Sequence, residues 1–156
     1  MLEIVRTSSE NLDFVFLVKH LDNYLKVMDG EEHDFYNQFN NIDVLKNTLV
    51  IYLDKKPVGC GAFKEYNSKS VEIKRMFTLP ETRQKGVASK ILTALEDWAK
   101  DLNYSSSILE TGIRQVEAVQ FYKKKGYKII PNYGQYKDVE NSICFKKELI
   151  DNEKGQ

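Results

Sequence analysis

Two cysteines and two histidines in 156 residues leave little material for metal or disulfide chemistry. Cys60 and Cys144 show no metal-ligand spacing, and one pair is too few for a disulfide framework. Both sit among strand-like apolar residues and read as small buried hydrophobes. His20 and His33 lack ligand partners at useful spacing and read as surface or packing residues, so no metal is expected. No Ser-His-acid or Cys-His arrangement supports covalent catalysis. Net charge is missing too, because 23 basic and 23 acidic residues cancel. That balance removes any general attraction to nucleic acid or an anionic membrane, so an anion site must be local. The longest apolar run, Phe14 to Val18, falls far short of the ~20 residues a spanning helix needs. The chain opens on strand-like Leu2-Glu3-Ile4-Val5 without a leader pattern, and a reduced cytoplasm is the expected location.

The remaining composition is that of an ordinary globular protein, with neither repeats nor low-complexity stretches. One domain is expected over residues 1–150, followed by a polar tail at 151–156. Strands are expected at Leu2–Thr7, Thr48–Leu53 (rich in β-branched and aromatic residues), Val58–Glu65, Val71–Thr78, Ser106–Glu110, Tyr127–Ile130 and Ser142–Lys147, with turns at Asp54-Lys55-Lys56-Pro57 and Asn67-Ser68-Lys69. A first helix is expected from a Ser8 or Ser9 cap to about Met28, with Leu12, Val15, Phe16, Lys19, Leu25 and Met28 near helical spacing. A short helix should follow at Glu32–Phe39, a long one at about Lys85–Leu102, and another at Val116–Lys125 before Gly126. The order implies a mixed α/β fold: a mostly antiparallel sheet of about seven strands with helices on both faces.

The most informative stretch is Arg83-Gln84-Lys85-Gly86-Val87-Ala88, between the fourth strand and the long helix. A helix start offers unpaired N–H groups and the positive end of the macrodipole. Gly86 permits close backbone approach. Helices usually carry acids in the first turn, yet Arg83 and Lys85 stand there. A bound anion such as a pyrophosphate would supply the missing negative charge.

These residues resemble the GNAT superfamily of acetyl-coenzyme A-dependent N-acetyltransferases. Its nucleotide motif is a basic residue or Gln, two variable residues, Gly, one variable residue, then Gly or Ala, which Arg83 to Ala88 match. The preceding Met76-Phe77-Thr78-Leu79-Pro80 and the apolar-striped helix behind supply the family's context. A second motif, an alanine, an aromatic-Tyr pair and a later Gly-aromatic pair, is matched by Ala118, Phe121-Tyr122 and Gly126-Tyr127. Gln115 stands where many members have Asn. Glu110-Thr111-Gly112, with Asn132-Tyr133-Gly134-Gln135-Tyr136, resembles a bacterial branch of unassigned substrate.

The resemblance implies acetyl-CoA as co-substrate, lying between diverging fourth and fifth strands. Main-chain groups of Met76 and Thr78 would hold pantetheine, and N–H groups of Gln84, Lys85, Gly86, Val87, Ala88 and Ser89 the pyrophosphate. Arg83 and Lys85 would add charge-assisted bonds, and the Phe77 N–H would meet the oxyanion. Tyr122 is the implied acid, since a phenol with pKa near ~10 stays protonated at neutrality. Glu72, eleven residues before Arg83, is the implied base, acting directly or through a water. Strand alternation puts Glu72, Lys74 and Met76 on one face, opposite Val71, Ile73 and Phe77. The acceptor is expected to be the primary amine of a small molecule, contacted by Glu110, Asn132, Tyr133 and Tyr136, with acids Asp22, Asp29, Glu31, Glu32 and Asp34 nearby. An acyl-CoA sensor and a protein-lysine acetyltransferase are the rival readings, and family habit makes a homodimer plausible.

Overall fold

A computed structural model describes residues 1–29, 45–83 and 86–150. The expected helix at Glu32–Phe39, the acids Glu31, Glu32 and Asp34, His33, Gln84, Lys85 and the tail at 151–156 lie outside the described residues. Among the described residues the strands and α-helices follow in the order β1 (Leu2–Thr7), α1 (Leu12–Asp29), β2 (Asn47–Leu53), β3 (Lys56–Glu65), β4 (Ser70–Thr78), α2 (Val87–Asp101), β5 (Ser106–Gly112), α3 (Val116–Lys124), β6 (Lys128–Ile130) and β7 (Ser142–Glu148). The seven strands form one sheet in the order β1-β2-β3-β4-β5-β7-β6, and β4 with β5 is its parallel pair. This is the mixed, mostly antiparallel sheet read from the sequence.

Local chemistry explains the joints. Asp54 and Lys55 both take positive φ, 51° and 69°, the backbone that a two-residue hairpin between twisted strands requires. At the start of α1 the cap is Asn11, not Ser8 or Ser9. Its Oδ1 accepts the N–H groups of Asp13 at 2.9 Å and Phe14 at 3.0 Å. The Ser8 carbonyl instead accepts the Asn11 N–H in the preceding turn.

Two apolar layers sandwich the sheet. On one face Phe14, Leu17, Val18 and Leu21 of α1 pack on Val50, Cys60, Ala62 and Phe77. On the other, Ile91, Leu92, Leu95 and Ala99 of α2 and Tyr122 of α3 pack on Leu49, Val71, Ile73, Leu109 and Phe145. Of the α1 residues read from sequence, Leu25 packs on the core, but Leu12 is 83% and Phe16 47% exposed. The run Phe14, Leu17, Val18, Leu21 and Leu25 keeps i, i+3, i+4 spacing without a charge, whereas the expected stripe had to include Lys19.

One irregularity shapes the site. Cys60 pairs with Phe77 and Ala62 with Lys74, so Arg75 and Met76 together oppose Gly61 in a β-bulge. Arg75 takes φ 58°. The extra residue breaks the expected alternation. Met76 turns to the α2 face, where a Cβ on Gly61 would lie 2.9 Å from its Sδ. Phe77 turns to the α1 cluster. Glu72 and Lys74 thus do not share a face with Met76.

Candidate active site

The site arises where β4 and β5 part. Their ladder covers Ser70–Ser106, Val71–Ser107 and Glu72–Ile108. Beyond Glu72 the two strands share no further ladder pairs among the described residues, and a cavity of ≈ 130 Å³ opens between them. Its walls include Glu72, Lys74, Met76, Glu110, Tyr122 and Tyr136, with Leu21 and Leu25 closing it from α1.

Glu72 is 3% exposed. Its Oε2 accepts the Tyr133 hydroxyl at 2.8 Å, and its Oε1 lies 3.9 Å from both Lys64 Nζ and Lys74 Nζ. Burial pushes the Lys74 ammonium below the usual lysine range, and the Glu72 charge works in the opposite sense. For Tyr133, burial first and then the charge and hydrogen bond of Glu72 hold the phenol protonated far above its ordinary value. Tyr136 is shifted the same way by burial, then by Glu110 and Glu72.

Tyr122 reaches the cavity from α3. It is 8% exposed, and its ring contacts Phe121, Tyr127 and Phe145. Burial pushes its hydroxyl well above the ordinary phenol value. A hydrogen-bonded cluster lies beside it. Tyr127 donates to Glu96 Oε2 and lies 2.9 Å from Ser107 Oγ, while Lys147 Nζ contacts Glu96 at 3.1 Å.

The other expected site residues fall into distinct places. Gly86 stands at the head of α2 with φ 77°, and a Cβ there would meet no atom within 4 Å. Val87 is buried, while Ala88 and Ser89 lie in the first turn of the same helix. Arg83 places its guanidinium 5.2 Å from the Tyr24 ring centroid. Glu110 Oε2 accepts the Ser142 hydroxyl at 2.6 Å. Asn132 Nδ2 donates to the carbonyls of Val139 and Ser142, closing the loop between β6 and β7. Asp22 is ion-paired with Arg75. Sequence reading did not place Lys74, Leu21, Leu25 and Thr111 at the cavity; alternation from Glu72 was the available signal for Lys74.

Comparison with known proteins agrees with this geometry. The pattern of the Acetyltransferase (GNAT) family matches residues 14–127. The chain belongs to that family. The IAA acetyltransferase of Azospirillum brasilense is 28% identical over 151 residues, covering 94% of this chain and 97% of that protein. The uncharacterised N-acetyltransferase YjcF of Bacillus subtilis is 37% identical over 92 residues, covering 57% of this GNAT chain and 63% of the relative. Among solved structures, a Klebsiella pneumoniae protein assigned as an acyl-CoA N-acyltransferase superposes with TM-score 0.81 at 26% identity, covering 96% of this chain and 99% of that one. The PaiA N-acetyltransferase of Thermoplasma acidophilum, solved with coenzyme A, shares the fold at TM-score 0.67 and 18% identity, covering 95% and 99%.

Proposed function

We propose that this GNAT chain transfers the acetyl group of acetyl-CoA directly to the primary amine of a small molecule, both substrates being held together in the cleft. The observation that carries this reading is that Glu72 and Tyr122, from β4 and α3, line one cavity at the point where β4 and β5 separate. The residues present fit an acyl-CoA. The β5-facing edge of β4 past Glu72 is available to an extended arm, and Gly86 leaves open space at the start of α2. Coenzyme A in the Thermoplasma relative supports the same fit.

Acetyl-CoA supplies an acetyl group activated as a thioester. Main-chain groups of Met76 and Thr78 hold the pantetheine arm and meet charge developing on the carbonyl oxygen, whereas the N–H of Phe77 faces Cys60 of β3. The N–H groups from Gln84 to Ser89 receive the pyrophosphate, with Arg83 and Lys85 adding charge. Glu72 accepts the proton the amine must lose, directly or through a water, and Tyr122 donates one to the departing sulfur. Glu110 and Tyr136 line the acceptor side, while Tyr133 bonds Glu72 and Asn132 bonds within its own loop. Two buried free thiols are consistent with a reducing, cytoplasmic setting.

Calorimetry with coenzyme A and acetyl-CoA, followed by thiol release across a broad amine panel, tests the proposal. Binding together with thiol release from small amines is the expected result. No heat at millimolar ligand overturns it. Binding without release from any amine makes the chain a sensor, and release from peptides alone makes it a protein-lysine acetyltransferase.

A further inference from the structure

We infer that Tyr133 is a positioning residue for Glu72: it occupies one carboxylate oxygen so that the other faces the acceptor amine. The inference rests on the role of Glu72 proposed above. Glu72 and Tyr133 are 61 residues apart in sequence, and the sheet order sets only β5 between β4 and β7, so the loop that leads into β7 reaches Glu72. The phenol is fixed before it reaches the carboxylate. Asn132, its neighbour, donates to Val139 O at 3.0 Å and Ser142 O at 3.1 Å, and the Tyr136 N–H donates to Tyr133 O at 2.9 Å. Its ring meets Tyr66 at 5.2 Å and Tyr136 at 5.8 Å, both edge-on.

A locked donor defines the carboxylate's rotation. With Oε2 bonded at 2.8 Å, turning Glu72 away would cost a hydrogen bond to a buried charge. Oε1 is ion-paired with Lys74 and Lys64 at 3.9 Å, beyond hydrogen-bond distance, and is the oxygen placed to accept a hydrogen bond from an amine. Burial and the adjacent carboxylate keep the phenol protonated, so Tyr133 is a permanent donor and exchanges no proton in the reaction.

Tyr133→Phe keeps the ring contacts and deletes only the donor. Steady-state kinetics should show kcat lowered about tenfold, with KM for acetyl-CoA changed less than about twofold. The decisive measurement is the same substitution in a Glu72→Gln background, where it should have no further effect on kcat because the group it orients is gone. An unfolding midpoint within a few degrees of the parent confirms that both variants are folded. Asn132→Ala, which loosens the loop and leaves the hydroxyl, should lower kcat less than Tyr133→Phe, with the same dependence on Glu72. An equal loss in both backgrounds, or a loss confined to acceptor KM, would make Tyr133 a substrate contact and overturn the inference. So would unchanged kcat in an active Tyr133→Phe enzyme. Absence of thiol release by the parent would remove the acetyltransferase reading itself, and this inference with it.

Discussion

Arg75, held in the left-handed bulge of β4, donates to Asp22 Oδ1 of α1 at 2.7 Å. The pair ties the wall of the cleft to the helix that covers it. Its burial is unequal: the Arg75 side chain is 5% exposed and that of Asp22 39%. This inequality sets an order for the two single substitutions. Asp22→Ala leaves a buried guanidinium without its partner, and about 2–4 kcal/mol should be lost in urea unfolding. Arg75→Met leaves a carboxylate that water can reach and relieves no apolar packing, so its loss should be smaller, about 1–2 kcal/mol. The reverse order would show that the bulge is stabilised chiefly by other contacts.

The two cysteines give a second prediction. Burial pushes the Cys60 thiol up to about 12 and the Cys144 thiol up to about 11. Native protein at pH 8 should therefore react with a thiol reagent far more slowly than protein in urea, which should titrate two thiols. The sign of the linked stability follows. The folded state holds these protons more tightly, so the contribution is complete below the unfolded thiol value of ~8.5 and falls as pH rises through 9 towards 11. Stability that rose over that window would contradict the burial of both groups.

Much of this arrangement was legible before any coordinates. The run of β-branched and aromatic residues from Thr48 to Leu53 and the Ile91, Leu92, Leu95, Ala99 stripe are local signals, and both stand where they were read. The bulge was not legible. Nothing at Arg75 marks it, since a bulged residue with positive φ is usually signalled by Gly or Asn and here is an arginine. Alternation was therefore carried straight through to Met76 and Phe77, and both were placed on the wrong face. The α1 cap was missed for a related reason, because Ser8, Ser9 and Asn11 are all competent caps and only the turn before the helix selects Asn11. The link between Tyr133 and Glu72 depends on a sheet order that hydrophobic pattern does not encode.

Tyr122 and Glu72 test the chemistry directly. Tyr122→Phe preserves the ring packing on Tyr127 and Phe145, so stability and coenzyme A affinity should change little while kcat falls about 100-fold. Because burial already holds this phenol protonated well above neutrality, the parent's rate should show no loss near pH 9 that the Phe variant abolishes. Glu72→Gln should likewise lower kcat about 100-fold with coenzyme A affinity little changed. A Gln variant as fast as the parent would remove Glu72 as base, and a Phe variant as fast as the parent would remove Tyr122 as acid.

Gly86 and Gly134 separate backbone strain from ligand contact. Both take positive φ, 77° and 52°, and at both an added Cβ would meet no atom within 4 Å. Gly86→Ala and Gly134→Ala should therefore cost similar stability, about 1–2 kcal/mol each, from the left-handed backbone alone. They should differ in coenzyme A binding. Gly86 precedes the first turn of α2, so under the proposed binding a Cβ there would intrude on the diphosphate. Gly134 lies in the short turn Gly134–Tyr136, on the loop that carries Tyr133, away from α2 in the chain. Calorimetry should find affinity for coenzyme A weakened at least tenfold by Gly86→Ala and within about twofold of the parent for Gly134→Ala. Equal weakening by both would mean that strain, transmitted through the fold, governs binding; no weakening by either would move the diphosphate away from the head of α2.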